Sequence, residues 1–151
     1  MDIGCGEGFF TIPAARIVEK KGKVYGLDRD EEVLSVLRQK TSKAGLVNIN
    51  LRVGEAEETI LCDKCADIIF YGIVLHDFYN PIRVLKNARR MLKPSGLLVD
   101  LDWKKEPMTL GPPLYRRISK KNAIDFIEAE DFTVEVVKEV GLFYYIIIAK
   151  Y

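Results

Sequence analysis

Short runs of apolar and β-branched residues alternate along the chain with segments that repeat apolar residues every three or four positions. The runs are typical of buried strands, and the repeating segments are typical of helices packed by one face. The predicted strands are Lys23–Asp28, Ile49–Val53, Ala66–Phe70 and Gly96–Leu101. The predicted helices are Thr11–Lys20, Glu31–Ala44 and Pro81–Leu92. This alternation indicates an α/β fold with a parallel sheet and helices on both faces.

The last third of the chain changes character. Ser119 is the predicted cap of a helix that runs to Ala129. Two strands follow, Phe132–Val140 and Phe143–Lys150, with only two residues between them. So short a connection permits only an antiparallel hairpin. We therefore predict one domain over residues 1–151, a Rossmann-like three-layer αβα sandwich whose mostly parallel sheet ends in a C-terminal antiparallel β-hairpin.

Composition and charge narrow the class of protein. The chain has 151 residues, with 23 Lys and Arg against 22 Asp and Glu. The net charge of +1 provides no overall field that would draw nucleic acid or an anionic membrane. No apolar run reaches the roughly 18 to 20 residues that span a bilayer, and the first residues do not form a signal peptide. We expect a cytoplasmic protein, and a single histidine excludes a multi-His metal site.

A glycine-rich loop, Asp2-Ile3-Gly4-Cys5-Gly6-Glu7-Gly8, stands before the first predicted helix. Glycines at alternate positions let the backbone turn sharply and approach a ligand closely. Asp28 comes 20 residues after Gly8, at the end of the next strand, where a carboxylate can accept hydrogen bonds from both ribose hydroxyls of an adenosine cofactor. The dinucleotide pattern G-x-G-x-x-G fails in both registers, because Phe9 and Thr11 stand where its third glycine would be.

The loop resembles the first motif of the class I S-adenosylmethionine-dependent methyltransferases, D-x-G-x-G-x-G. Further segments resemble later motifs of that family in the expected order, namely Gly26–Asp28, Gly54–Glu57, Asp67–Phe70 and Arg89–Leu98. Val74-Leu75-His76 is similar to a segment common in ubiquinone/menaquinone-type and type 11 methyltransferases. The resemblance implies S-adenosylmethionine as the cofactor and methyl transfer to a small-molecule acceptor as the reaction.

The resemblance also implies a set of binding residues. Asp28 would hold the ribose, Glu55 or the backbone N–H of Ala56 would contact the adenine, and Tyr71 would border the methionine end of the cofactor. The implied cofactor-binding residues are Asp2, Gly4, Cys5, Gly6, Asp28, Arg29, Glu55, Ala56 and Tyr71.

Residues outside the cofactor motifs are candidates for the acceptor side. His76 is the candidate general base, because its unperturbed pKa lies near neutrality; the structural alternative is a histidine that caps a helix or borders the cofactor. The segment after the fifth strand carries Trp103, Tyr115 and Arg116, which suit a flat or acidic acceptor. Alternatively, this segment is a surface flap that packs its own apolar residues. Asp77 is interpreted as a cap for the helix that begins near Pro81.

Two pairs of residues resemble metal or redox motifs. Cys62 and Cys65 form a lone C-x-x-C, which lacks the further ligands of a zinc site. A redox pair is one interpretation, and two ordinary cysteines flanking a loop is the favoured one. Asp100 and Asp102 are expected on opposite faces of their strand, which makes a shared metal ion unfavourable, and no metal site is predicted.

The family usually carries a full first strand and one or more helices before the glycine motif, whereas Met1 stands directly before Asp2 here. Either the start is misassigned, or the domain is a reduced version with an open pocket that a second subunit of a homodimer closes. A non-catalytic module that binds the cofactor or a partner protein is therefore an alternative function. An RNA methyltransferase is disfavoured, because Tyr71–Val74 stands where base-modifying enzymes carry [DNS]-P-P-[YFW].

Overall fold

The computed structural model describes residues 1–151, which form a seven-stranded sheet flanked by four helices. The strands are β1 (Asp2–Ile3), β2 (Val24–Asp28), β3 (Ile49–Val53), β4 (Ala66–Gly72), β5 (Leu92–Trp103), β6 (Thr133–Val140) and β7 (Tyr144–Lys150). The helices are α1 (Thr11–Val18), α2 (Glu31–Lys43), α3 (Pro81–Met91) and α4 (Lys120–Ala129), with a 3₁₀ turn at Leu75–Asp77. None of these helices has the length and apolar character needed to cross a membrane.

The sheet order is β3-β2-β1-β4-β5-β7-β6. The first five strands pair in parallel, while β7 runs antiparallel to both β5 and β6. This arrangement confirms the predicted parallel sheet with its terminal hairpin. The two-residue strand β1 lies near the centre, between β2 and β4, so the loop that follows it emerges in the middle of one edge of the sheet.

The helices bury two separate apolar clusters. A small one joins Cys5 after β1 to Leu34 and Leu37 of α2. A larger one of 19 buried residues joins α3 and α4 to the central strands and the hairpin, with Leu85 and Ile127 among its fully buried members. The start of α4 follows the predicted capping chemistry, since the side chain of Ser119 accepts a hydrogen bond from the N–H of Asn122. The three-layer prediction is thus confirmed.

The boundary between α3 and β5 differs from the prediction. The predicted helix ends at Leu92 and the predicted strand begins at Gly96, but β5 begins at Leu92, directly after the helix. Leu92 pairs with Ala66 of β4 and Leu97 pairs with Ile68. An advance of five residues along β5 therefore matches an advance of only two residues along β4. The turn-forming residues are therefore absorbed as an irregularity within the strand, with Ser95 at a φ of 68°.

The predicted placement of Asp100 and Asp102 on opposite faces of β5 is wrong. Residues two apart in a strand point to the same side, and both carboxylates are buried on the face covered by α3 and α4. Leu98 lies on the same face, whereas Leu97, Val99 and Leu101 point the other way and are half-buried. Two acidic side chains therefore lie within the apolar interior, near the end of β5.

Candidate functional site

A cavity of about 690 Å³ opens at the carboxyl edge of the parallel strands. Four segments form its walls: the glycine loop after β1, the end of β2, the loop after β3 and the segment after β4. The crossovers from β1 and from β4 run in opposite directions along the sheet, so the cavity lies where the strand order reverses. Crevices at such a point are the usual ligand sites of open α/β sheets.

The glycine loop is shaped by residues in the left-handed region. Gly4, Gly6 and Gly8 have φ values of 73°, 50° and 86°, which side-chain-bearing residues rarely adopt. A Cβ on Gly4 would overlap the side chain of Val74, and one on Gly8 would overlap Leu37. The alternating glycines are therefore needed both for the backbone path and for close contact with the walls around it.

Asp28 joins the glycine loop to the end of β2. Its Oδ2 accepts a hydrogen bond of 2.8 Å from the N–H of Gly6, and its Oδ1 accepts one of 3.1 Å from the N–H of Asp30. The same carboxylate lies on the cavity wall, next to Arg29. An ionised carboxylate has about four lone-pair sites, so Asp28 retains acceptor capacity toward a ligand.

Asp2 and Cys5 lie beneath the loop and not on the cavity wall. Both side chains are buried, and the hydroxyl of Thr11 donates a hydrogen bond to Asp2. Burial raises the pKa of Asp2, an effect that the hydrogen bond from Thr11 opposes. Burial also raises the pKa of the Cys5 thiol to about 12, so the thiol is neutral and packs as an apolar group. These two residues support the loop from inside.

The loop after β3 forms the opposite wall. Glu55 and Ala56 line the cavity, and the side-chain amide of Asn87 on α3 donates to the carbonyl oxygens of Ala56 and Glu57 at 2.8 and 2.9 Å. This wall is thus held against α3. Five acidic side chains and two arginines line the cavity. The acidic ones are Asp28, Glu55, Glu57, Glu58 and Asp77, and the arginines are Arg29 and Arg83. The cavity therefore favours a cationic ligand.

Tyr71 does not border the cavity, in contrast to the prediction. Its side chain is fully buried on the face covered by α3, and its hydroxyl donates to the carbonyl oxygen of Val84 at 3.3 Å. The cavity is lined at this point by Ile73 and Val74, which follow the strand end at Gly72. Ile69 and Tyr71 share the buried face of β4, but residues 68–71 are all apolar or aromatic, so no alternation in the sequence marks Tyr71 as a core residue.

His76 lies in the 3₁₀ turn after β4, and only 4% of its side chain is exposed. Its Nδ1 is 2.7 Å from Oδ1 of Asp102, and its Nε2 is 3.4 Å from Oδ1 of Asp77. Burial lowers the pKa of His76, but the hydrogen bond and charge of Asp102, together with the charge of Asp77, outweigh burial and the net pKa is raised. The structure therefore presents His76 as a paired imidazole set behind the cavity wall.

The segment that carries Trp103, Tyr115 and Arg116 does not line the cavity. Trp103 packs on Tyr144 with ring centroids 4.5 Å apart, and Tyr115 is 81% exposed. Arg116 reaches the cavity wall indirectly, because its guanidinium donates to Asp77. Asp77 does not cap α3, since the side chain of Asn80 accepts the hydrogen bond from the first turn; the predicted capping role is wrong.

Several functional candidates were missed by the sequence reasoning. Phe78, Tyr79 and Arg83 line the cavity, and Tyr79 is 99% exposed. Arg117, which follows Arg116 in the segment predicted to suit a flat or acidic acceptor, is instead buried. It donates to four backbone carbonyl oxygens of its own segment, those of Lys104, Glu106, Leu110 and Pro112. No local pattern marks these residues, because their roles depend on how the segments after β4 and β5 fold back.

Cys62 and Cys65 are joined by a disulfide in the loop between β3 and β4. The disulfide agrees better with the redox-pair interpretation than with two ordinary cysteines flanking a loop, and a redox role stays a prediction. The N–H groups of Lys64 and Cys65 donate to the carbonyl oxygens of Arg90 and Met91. The disulfide turn is thus attached to the end of α3, in the same loop that forms the acidic wall of the cavity.

A family model described as a methyltransferase domain matches residues 1–138. The chain belongs to the methyltransferase-domain family. Curated relatives agree: a demethylmenaquinone methyltransferase of Geobacillus stearothermophilus is 37% identical over 102 residues, which is 68% of this chain and 44% of the relative. One of Staphylococcus epidermidis (strain ATCC 12228) is 35% identical over 115 residues, covering 76% of this chain and 47% of the relative. The methyltransferase domain described here thus spans less than half the length of these relatives.

Comparison with solved structures assigns the domain to a narrower class of methyltransferase than the family model does. A SAM-dependent methyltransferase from Aquifex aeolicus is 32% identical with a TM-score of 0.93, over 98% of this chain and 79% of that one. The [4+2]-cyclase SpnF shares the fold alone, at 16% identity and a TM-score of 0.87 over 99% of this chain and 72% of that one. The resemblance to class I S-adenosylmethionine-dependent methyltransferases is confirmed, and S-adenosylmethionine is the cofactor that membership of this family implies.

Proposed function

We propose that this chain binds S-adenosylmethionine in the cavity at the carboxyl edge of the sheet and transfers its methyl group to a small-molecule acceptor. The observation that carries the proposal is the connection between Asp28 and the glycine loop, a 2.8 Å hydrogen bond from the N–H of Gly6 at the cavity wall. This hydrogen bond places the carboxylate that we propose to bind the ribose next to the glycine loop, whose backbone a ligand can approach closely. The cavity of about 690 Å³ also falls within the usual range for small-molecule sites.

The residues of the cavity fit the cofactor chemically. Asp28 would accept the ribose hydroxyls, the backbone N–H of Ala56 or the side chain of Glu55 would contact the adenine, and Gly4 would let the amino-acid part approach the backbone. Five acidic residues against two arginines on the walls match a ligand that carries a positive sulfonium. Asp2 and Cys5 would act from below, by holding the glycine loop in shape.

The chemistry asks little of the protein beyond alignment. When bound, the cofactor supplies a methyl carbon already activated by the sulfonium. The cavity walls would hold the acceptor in line with that carbon, which converts an encounter of two molecules into a positioned displacement. His76 is the residue we propose to remove a proton from the acceptor, with Asp77 between its ring and the cavity.

We propose demethylmenaquinone, named in the curated relatives, as the first acceptor to test. An acceptor with a large apolar ring system would find aromatic side chains at the cavity mouth, where Phe78 and Tyr79 line the wall. The proposed acceptor-binding residues Trp103, Tyr115 and Arg116 would contribute from the segment after β5, which the Arg116–Asp77 ion pair attaches to the cavity wall.

The experiment is calorimetric titration of the purified chain with S-adenosylhomocysteine, beside Asp28→Ala. Hydrogen bonds to charged groups contribute roughly 1.5 to 3 kcal/mol each, so losing two of them is expected to weaken binding at least about 100-fold. Glu32→Ala is the matched control, because Glu32 is an exposed carboxylate that does not line the cavity. Equal affinity of Asp28→Ala and wild type would contradict the proposed site.

The second measurement is formation of S-adenosylhomocysteine from S-adenosylmethionine in the presence of demethylmenaquinone reduced to its hydroquinone, the form whose electron-rich ring can attack the methyl carbon. Product formation that depends on the acceptor supports methyl transfer. Cofactor binding without product for any acceptor supports the alternative, a non-catalytic binding module; the shared fold of a [4+2]-cyclase shows that this fold alone does not settle the reaction.

The proposed homodimer is tested by sedimentation equilibrium of the same preparation. A single species at the 17.2 kDa of one chain would contradict it. The face of β5 opposite α3 and α4 supports the proposed dimer. Its apolar residues are only half-buried, and a second subunit would cover them: Leu97, Val99 and Leu101.

A further inference from the structure

His76 is the only histidine of the chain, and its environment is built by three elements. Asp102 faces it from β5, Asp77 from its own 3₁₀ turn and Arg116 from the segment after β5. Both ring nitrogens therefore have a carboxylate neighbour, but the two carboxylates differ in burial. Asp102 is 1% exposed, whereas 41% of the Asp77 side chain is exposed at the cavity wall.

Asp102 is held in a fixed orientation. Its Oδ2 accepts the backbone N–H of His76 at 3.1 Å, and its Oδ1 accepts the backbone N–H of Trp103 at 2.7 Å. The same Oδ1 lies 2.7 Å from Nδ1 of His76. Because backbone N–H groups stabilise the ionised form of a carboxylate, Asp102 is an acceptor at each of these contacts. The hydrogen of the shortest imidazole contact must then be carried by Nδ1.

Asp100 is a second buried carboxylate beside Asp102, and its protonation state affects the charge near His76. It is fully buried on the same face of β5, and neither of its oxygens has a hydrogen-bond partner. Burial raises the pKa of Asp100 well above its usual range, and the charge of Asp102 raises it further. Tyr145 of β7 and Tyr71 of β4 are the other titratable groups near this pair, and burial raises both of their pKa values. Burial and the neighbouring carboxylate therefore both favour the protonated, neutral form of Asp100.

We infer that Asp102 is a positioning residue that holds His76 with its proton on Nδ1, so that Nε2 is the nitrogen that exchanges a proton on the cavity side. A buried carboxylate on one imidazole nitrogen selects the tautomer in the same way around many metal-binding and catalytic histidines. Nε2 faces Asp77, and Asp77 lines the cavity. The inference rests on the proposed function only for the source of that proton.

The proton of the acceptor group passes by way of the Asp77 carboxylate at the cavity wall to Nε2 of His76, which becomes an imidazolium between Asp102 and Asp77. The electron pair left on the acceptor forms the bond to the methyl carbon, and the sulfur keeps the pair of the broken carbon–sulfur bond. Nδ1–H stays on its nitrogen throughout, and the imidazolium later releases the Nε2 proton to solvent through the exposed Asp77.

The test is ¹⁵N NMR of the imidazole in the chain of residues 1–151 labelled at histidine. A single histidine gives a single imidazole, so no assignment and no acceptor are needed. The wild type is expected to show a protonated Nδ1 and an unprotonated Nε2 in its neutral form. A neutral form protonated at Nε2 would overturn the inference without any variant.

Three variants separate the carboxylates. Asp102→Asn is expected to lower the proton affinity of His76 at least about tenfold, because it removes the nearer negative charge, and to mix the two tautomers. Asp77→Asn is expected to lower the affinity less and to leave the tautomer unchanged. Asp125→Asn, on the exposed side of α4, is the control and leaves both unchanged. Equal tautomers and proton affinities in Asp102→Asn and wild type would overturn the inference.

Kinetics with an active acceptor provides the second readout. Asp102→Asn is expected to bind S-adenosylhomocysteine within about twofold of wild type, to lower kcat and to move the acidic limb of the pH profile to lower pH. A loss of cofactor binding in this variant would indicate a merely structural role and overturn the inference. If no acceptor is methylated, the proposed function fails, and the NMR result still decides the tautomer.

Discussion

Replacing Asp100 by leucine is expected to stabilise the protein. Leucine and aspartate both branch at Cγ into two terminal atoms, so the substitution preserves the shape of a side chain that has no solvent exposure. It removes two buried oxygens that have no hydrogen-bond partner. Leaving such a group unpaired costs roughly 1 to 3 kcal/mol. At about 2 to 4 °C per kcal/mol for a domain of this size, Tm should rise by roughly 2 to 12 °C.

The gain should depend on pH with a definite sign. Burial and the nearby charge of Asp102 raise the pKa of Asp100 in the folded state, whereas the unfolded chain titrates near about 3.9. Above that pH the folded state binds more protons than the unfolded state, so wild-type stability falls as the pH rises through the folded pKa. The leucine variant lacks this dependence, and its advantage should be greater at pH 8 than at pH 5.

The assay is urea unfolding at pH 5 and pH 8 for wild type, Asp100→Leu and the control Asp125→Leu. Asp125 is a half-exposed carboxylate on α4, and its replacement should change the free energy of unfolding by no more than about 0.5 kcal/mol. A leucine variant less stable than wild type at pH 8, or a gain equal at both pH values, would refute the reasoning. The first result would mean that Asp100 is paired in the folded protein, and the second that its folded pKa is not raised into the range between pH 5 and pH 8.

Three further predictions concern the loops around the cavity. Gly4→Ala should weaken S-adenosylhomocysteine binding at least about tenfold by calorimetry, because its Cβ overlaps a wall side chain, whereas Gly6→Ala meets no atom within 4 Å and should lose less; equal losses would contradict the overlap. Arg117→Ala should expose the segment after β5 to limited proteolysis, since four carbonyl oxygens lose their donor, and an unchanged cleavage pattern would contradict this. Cys62→Ser should lower the free energy of unfolding by about 2 kcal/mol, the chain-entropy value for so short a loop. Reducing agent should have no further effect on the Tm of this variant, because the disulfide to Cys65 is already absent.

Local pattern was sufficient for most of the elements. β3 was predicted with its observed bounds, and α2 and α4 differ from prediction by a single residue or less at each end. Apolar period, capping residues and the two-residue hairpin connection are local signals, and they agree with the final fold here. The spacing between the glycine loop and Asp28 is also a local signal. The loop follows one strand, a helix comes next, and Asp28 ends the neighbouring parallel strand, so both lie at the same edge of the sheet.

The sequence by itself therefore determined the fold class, the family resemblance and the two strand ends that carry the glycine loop and Asp28. Only the tertiary structure decided that Tyr71 lies in the core, that the strand face shared by Asp100 and Asp102 is a buried one, and that His76 meets Asp102 across 26 positions of chain. The physical reason is that contacts between distant segments depend on register and on the path of irregular loops. Neither of these has a period that can be read along the chain.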